Sequence, residues 1–307
     1  MSSATLPSHA SSAAVPRWLG LVCVVVAAVL FAGKGVLVRL AYQHGAEATG
    51  LLALRLALSL PIFLGLVWWL GRGQAPLTRG QAVRVISAGI LGYHLASWLD
   101  FLGLERVEVA LERVVLFIYP ALLVGWALLR RQRAADGALL LGLGLTAGGI
   151  ALTWGDRALA ARADHLGVAL VAASAVAFAA SMVVYEPEAK ALGGLRATSI
   201  GMSAACITGL VHGLVARPLV LPPPPVLGLG AALALGATVV PTLLMGLAVQ
   251  HLGAARTAVA GSIAPALTAL IGWLTLGEAL GFLGWLGIAA TTAGAVVAGR
   301  PARKDRP

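Results

Sequence analysis

The 307-residue chain is 59% hydrophobic and only 11% charged, with a mean hydropathy of +0.92. Soluble globular proteins carry roughly 25% charged residues, so this composition excludes an ordinary cytosolic enzyme or DNA-binding domain and points to lipid as the main solvent. Net charge is +10, but the 22 basic residues are spread along the chain without forming a nucleic-acid-binding stripe, and Cys23 and Cys206 sit in apolar runs that indicate no disulfide framework.

A membrane-spanning helix needs about 20 mostly apolar residues. Ten such runs follow one another, near 18–42, 49–71, 83–104, 108–129, 136–154, 166–186, 196–216, 226–249, 254–276 and 280–299. They are continuously apolar rather than alternating, which predicts helices and not barrel strands. Residues 1–17 have the Ser, Ala and Pro content of a disordered tail. The first run continues past Lys34 to Tyr42, too long for a cleaved signal peptide.

An ionisable residue at membrane depth usually faces protein or water. The first run carries Lys34 and Arg39, and the second carries Arg55. In the third, His94, Ser97, Trp98 and Phe101 share one side at spacings of three and four, with Tyr93 and Asp100 on an overlapping flank. Such a stripe either lines a cavity or buries against another span. His94 is either a proton carrier or a neutral hydrogen-bonding residue. Glu112 and Arg113 open the fourth run, followed by Tyr119 and Pro120. Asp100 and Arg113 suit a pair across the third and fourth spans, structural or gating; Arg39 suits snorkelling to the surface.

The later runs are nearly free of mid-span charge. Ser174, Phe178, Ser181 and Tyr185 share a face of the sixth; Thr238, Pro241 and Thr242 lie in the eighth; Thr257, Gly261, Ala264 and Thr268 surround Pro265 in the ninth. Pro222 to Pro225 read as a stiff extended link. Glycines in the fifth and tenth runs permit close helix contact, within the monomer or across a weak dimer.

Orientation follows from the basic residues. With the N-terminus in the cytoplasm, fourteen fall inside (Arg17, Arg72, Arg79, Arg84, Arg130, Arg131, Arg133, Lys190, Arg196, Arg256, Arg300, Arg303, Lys304, Arg306) and four outside (Arg106, Arg157, Arg162, Arg217). Both termini are therefore expected in the cytoplasm.

A shift of 145 residues overlays the stretch from about 102 to 155 on the second half without gaps. Ala110 meets Ala255, Pro120-Ala121-Leu122 meets Pro265-Ala266-Leu267, Gly142 meets Gly287, and Gly149 meets Gly294. Each half has five spans, an odd number, so the second half enters the membrane in the opposite sense. Inverted repeats of this kind place a substrate site near the midplane between the halves.

In the order and spacing of Lys34, Leu54-Arg55-Leu56, Pro120, Pro265 and Leu276-Gly277-Glu278, the chain resembles the ten-helix EamA-type members of the drug/metabolite transporter superfamily, from about 18 to 300. The resemblance implies small-metabolite transport, often efflux, through a cavity between the halves. It also supports Lys34 and Arg55 as cavity residues. One departure is visible: where that family often has a Gly-Glu pair in the first half too, this chain reads Leu129-Arg130-Arg131-Gln132-Arg133.

The expected fold is thus all-α and integral to the membrane: ten transmembrane helices as two inverted five-helix repeats, 18–155 and 165–300, with a basic cytoplasmic tail at 301–307. The expected function is secondary transport, without enzymatic activity, of an amino acid or related small metabolite. The expected direction is export across a bacterial inner membrane by alternating access. The expected cavity residues are Lys34, Arg55, His94, Trp98, Tyr119, Ser181 and Tyr185, with Lys34 and Arg55 drawing a carboxylate or other anionic group. Asp100 and Arg113 are the expected gate, and Pro120, Pro241 and Pro265 the expected kinks. No P-loop, metal-ligand spacing or cofactor motif occurs. The expected partners are a metabolite, the lipid bilayer and a proton as candidate coupling ion, without nucleic acid, in a monomer or weak homodimer. The other class that the residues admit is a membrane-embedded enzyme acting on a lipid or prenyl substrate, which would require Ser97, Ser181 and His94 to meet.

Overall fold

The computed structural model describes residues 17–131, 137–159, 164–216 and 222–298. The expected tail at 301–307, that at 1–17 except Arg17, and the topology residues Arg133, Arg162, Arg217 and Arg300 lie outside the described residues. Every regular element among the described residues is helical. Among the described residues, nine helices are long and apolar enough to cross a membrane: α1 (Trp18–Gln43), α2 (Ala48–Gly71), α3 (Arg79–Leu104), α4 (Val109–Leu129), α5 (Gly137–Asp156), α6 (His165–Leu192), α7 (Gly194–Ala216), α8 (Pro224–Leu252) and α9 (Arg256–Leu276). The last apolar helix, α10 (Phe282–Val297), is shorter.

Local sequence sets where several helices begin. Thr78 and Gln81 form a reciprocal cap at the start of α3, and Asp164 accepts from the Gly167 amide at the start of α6 (2.9 Å). The proline run before α8 differs from the expected extended link. Pro223 is extended (φ −55°, ψ 150°), but Pro224 and Pro225 already belong to the helix. Proline is well suited to a first helical turn, where its missing N–H has no partner to lose.

The helices are not continuous rods, and their interruptions repeat. Regular α-helix runs over Arg79–Gly89 and again over Pro224–Ala234, each followed by a wider π-helical turn, at Ile90–Leu95 and Leu235–Val239. In α4 the helix breaks after Leu116 and restarts at Tyr119; in α9 it loosens at Gly261–Ile263 and restarts at Ala264. Helix resumes at Gly137 in the first half and Phe282 in the second. Each pair of starts is 145 residues apart, so the register read from the short Pro-Ala-Leu match extends to irregularities that no residue identity marks. Pro120, Pro241 and Pro265 each sit in the first turn of a restarted segment. Lacking an amide hydrogen, each leaves the carbonyl four residues back without its helical donor, so the ladder opens there.

The closest helix pair joins the halves. A side chain added at Gly149 of α5 would overlap Thr291 and the Gly287 carbonyl of α10; one added at Gly294 of α10 would overlap Thr146 and the Gly142 carbonyl of α5. Adding 145 to 149 gives 294, and subtracting it from 287 and 291 gives 142 and 146. The same contact is therefore made twice with the roles exchanged, as a two-fold axis between the halves requires.

The outside is apolar, with exposed tryptophans near both ends. Trp18, Trp68, Trp69 and Trp126 lie toward one end, and Trp154, Trp273 and Trp285 toward the other, the pattern of membrane-interface belts. Arg72 stacks over Trp68 at 3.5 Å and Arg130 over Trp126 at 4.8 Å, both at the first end.

The glycine contacts give a paired prediction. Gly149→Ala forces α5 and α10 apart and lowers stability by about 1–3 kcal/mol. Gly144→Ala, one turn away with open space around it, leaves stability unchanged or raises it by up to about 1 kcal/mol. Thermal unfolding of the two purified variants checks the difference; equal midpoints would remove the tight contact.

Candidate functional site

A cavity of about 100 Å³ lies between the halves, lined from α1 to α4 on one side and from α6, α8 and α9 on the other. Six lining pairs are related by the 145-residue shift: Gly92 and Ala237, Tyr93 and Thr238, Ser97 and Thr242, Asp100 and Met245, Leu116 and Gly261, Tyr119 and Ala264. The cavity therefore straddles the two-fold axis. The paired interruptions explain the space. The π turns of α3 and α8 carry Gly92, Tyr93, Ala237 and Thr238, and the breaks in α4 and α9 carry Phe117 and Gly261. Irregular backbone at membrane depth is tolerated where it lines such a cavity.

Charge enters from the first half alone. α1 breaks at Gly33, and Lys34 opens its second segment. Gly35 then lets α1 approach α4 closely, since a side chain there would meet Val109 and Glu112. This brings Lys34 Nζ to 2.5 Å from Asp100 Oδ2 and 3.9 Å from Glu112 Oε1. Asp100 thus pairs with Lys34 rather than with Arg113, the partner expected from sequence. Arg113 instead donates from Nη2 to the Phe31 carbonyl (2.8 Å), with its Nε 3.8 Å from Glu112 Oε2. The Ala32 carbonyl accepts from Thr268 of α9 (3.1 Å). The broken turn of α1 is held by one side chain from each half.

Arg55 of α2 also lines the cavity and is only 4% exposed. Its guanidinium carbon lies 5.1 Å from the Phe101 ring centre, and its Nε and Nη2 have no hydrogen-bond partner. An aromatic wall completes the site: Tyr93 and Tyr119 both meet Phe178 edge-on (6.5 and 5.1 Å between centres), and Phe117 meets Tyr119 at 5.5 Å.

Of the residues singled out from sequence, Lys34, Arg55, Asp100, Arg113 and Tyr119 come together at this cavity. His94 and Trp98 do not: the His94 Nε2 lies 3.1 Å from His212 Nδ1, and Trp98 donates to Thr49 Oγ1 (3.1 Å) while packing edge-on to His212. Ser181 and Tyr185 border a crevice too narrow for water, where α3, α6 and α7 pack. Ser181 donates to the Phe178 carbonyl (2.7 Å), and the Tyr185 hydroxyl shares bonds with Thr198 (2.6 Å) and the Gly194 carbonyl (3.0 Å). Ser181 and His94 thus occupy different helix contacts, and neither lines the cavity with Ser97. Sequence reading did not single out Phe31, Phe117 or His212. Applying the 145-residue shift to Thr238 would have drawn attention to Tyr93 as a lining residue.

At the end of the bundle carrying residues 105–108 and 277–281, a second set of contacts closes over the site. Arg39 donates to the Leu104 carbonyl (3.0 Å), Tyr42 to the Phe101 carbonyl (2.8 Å), and Glu105 accepts from the Ala48 amide (2.7 Å). Glu278, just past α9, accepts from the Val109 and Ala110 amides at the start of α4 (3.2 and 3.4 Å). A carboxylate suits a helix N-terminus. Burial pushes its carboxyl above the ordinary glutamate value, and the two amides pull it back. The matching first-half position is Arg133, outside the described residues.

A model of the EamA-like transporter family matches residues 18–155 and 165–300. The chain is 29% identical over 283 residues to a protein of Bacillus subtilis (strain 168) named "Uncharacterized transporter YcbK", spanning 87% of this chain and 88% of that protein. A solved structure described as "Crystal structure of protein" superposes with a TM-score of 0.66 at 21% identity, over 92% of this chain and 98% of that one; at that identity the likeness speaks for the fold alone.

The Lys34–Asp100 pair yields a thermodynamic cycle. Lys34→Met or Asp100→Asn alone leaves a buried group uncompensated and is expected to cost about 3–5 kcal/mol. The double variant is expected to recover much of that loss. Additive losses in unfolding measurements would show that the two side chains do not interact.

Proposed function

Because the chain belongs to the EamA-like transporter family, we propose that it is a secondary transporter that moves a small metabolite through the central cavity by alternating access. The observation that carries this reading is the position of the cavity on the two-fold axis, walled by equivalent residues from both halves. Two similar halves inserted in opposite senses exchange conformations, so one state opens to one side and its near mirror opens to the other. The breaks in α1, α4 and α9 and the π turns in α3 and α8 put deformable backbone around the cavity wall.

In this reading α10 is the tenth span, both termini are cytoplasmic, the membrane is a bacterial inner membrane, and the substrate is an amino acid or related compound taken outward. The excess of Lys and Arg at the end bearing residues 72–78 supports the orientation, as do the Arg72–Trp68 and Arg130–Trp126 stacks there. The contacts of Arg39, Glu105 and Glu278 then form the outer closure, with Lys34, Asp100, Glu112 and Arg113 beneath it. Arg84 pairs with Glu188 at the opposite end (2.5 Å) and forms the inner counterpart. His94 faces His212 rather than the cavity, so proton coupling through His94 forms no part of the reading.

Reconstitution tests it. Purified protein in liposomes is expected to accelerate equilibration of an unmodified small metabolite from a panel. Ser97→Phe, which fills the cavity without touching an ion pair, is expected to abolish that flux while the variant stays folded. Flux unaffected by Ser97→Phe would rule out the cavity as the path, and chemical change of the solute without flux would replace transport with a membrane-embedded enzyme.

A further inference from the structure

Resting on the transport reading, the geometry points to a small monocarboxylate with an apolar body as the cavity's ligand class, with Arg55 taking the carboxylate, in preference to a zwitterion or an uncharged solute. Lys34, Arg55, Arg113 and Asp100 line the cavity, and Glu112 is buried behind them, so three cations stand against two acids. Two of the cations have acids beside them. Lys34 touches Asp100 and lies 3.9 Å from Glu112, and Arg113 is 3.8 Å from Glu112 and donates to a carbonyl. Arg55 is the remaining one. Among the described residues no carboxylate stands within ion-pair distance of it, and its Nε and Nη2 bond to nothing. Those two nitrogens form the guanidinium edge that grips a carboxylate with two parallel hydrogen bonds. A buried guanidinium without an acceptor is strongly unfavourable. Both nitrogens are sealed from solvent in this state, so a carboxylate reaches them as the surrounding wall moves, and then gains both the bonds and the neutralisation.

The rest of the wall narrows the class. Ser174, Thr238 and Thr242 each donate to a backbone carbonyl (2.7–2.8 Å), so the hydroxyls left to steady a ligand's oxygens are those of Tyr93, Ser97 and Tyr119. A substrate ammonium enters a site whose buried cations outnumber its acids by one, and Asp100, the acid that lines the cavity, already holds Lys34 through Oδ2, leaving only its Oδ1 unbonded. The edge-on ring contacts of Tyr93, Phe117, Tyr119 and Phe178 offer an apolar surface instead.

Three matched probes separate the possibilities: isovalerate, a monoanion; isovaleramide, its neutral isostere; and valine, which differs from isovalerate by the ammonium group. In chloride-free buffer, isovalerate is expected to raise the thermal unfolding midpoint of the detergent-purified full chain saturably, and the amide and valine are not. Arg55→Gln is expected to weaken isovalerate binding by about tenfold or more; Arg55→Lys, which keeps the charge but not the fork, is expected to retain part of it. Equal midpoint shifts for all three probes, a shift by chloride as large as that by isovalerate, or an Arg55→Gln variant with undiminished preference would each overturn the assignment. If Arg55→Gln does not fold, the wild-type comparison and Arg55→Lys decide. Flux is read separately: isovalerate that binds through Arg55 but never crosses liposomes removes the transport reading and leaves the Arg55 site standing, whereas flux of other solutes without isovalerate binding does the reverse.

Discussion

Hydrocarbon offers no hydrogen bonds, so every backbone polar group and every charge inside the bundle must find a partner within the protein. That constraint organises this structure. Where α1 breaks at Gly33, the Phe31 and Ala32 carbonyls are taken by Arg113 and Thr268. Where α8 widens, Thr238 and Thr242 turn their hydroxyls back onto the Leu233 and Thr238 carbonyls. Where α9 ends, Glu278 reaches across to the open amides of α4. Satisfaction is incomplete at the cavity: Glu112 and the Nε of Arg113 also lack hydrogen bonds, but these two lie 3.8 Å from each other. Arg55, with Nε and Nη2 unbonded, has no acid within ion-pair distance among the described residues, and it is there that a charge from outside is wanted.

The two halves share a scaffold and differ in chemistry. The π turns of α3 and α8 and the breaks of α4 and α9 coincide after a shift of 145 residues, while the break of α1 at Gly33 has no counterpart in the continuous α6; all the buried charge at the cavity comes from the first half. The equivalents of Asp100 and Tyr119 are Met245 and Ala264, and Lys34 and Arg55 correspond to Ala179 and Ile200. Under the proposed alternating access, symmetry of the backbone is what permits exchange between two opposed openings. Asymmetry of the side chains gives the cavity one polar flank and one apolar flank, so a bound molecule is oriented.

The spans were legible because twenty-residue apolar runs separated by glycine, proline and arginine leave little freedom in a bilayer. The repeat was legible from Pro-Ala-Leu and a few glycines. Lys34, Arg55 and Tyr119 were legible as cavity residues because charge and aromatic groups at depth need a reason. The partner of Asp100 was not, because it depends on Gly33 and Gly35 bringing α1 against α4, which periodicity does not reveal. The stripe containing Ser181 and Tyr185 reads the same whether it lines a chamber or a helix contact; only the close approach of Gly89 to Gly201 and Gly92 to Ser181 shows the second. His94 was read alone, and His212, the group that defines its surroundings, is 118 residues away.

The exchanged contact of α5 and α10 has the form of a homodimer interface carried within one chain. Gly149 against Gly287 and Thr291, and Gly294 against Gly142 and Thr146, offer each other matching patches, as two identical partners would. Nothing in that patch depends on the covalent link between the halves, so the seam would join two separately made halves as well as it joins this single chain.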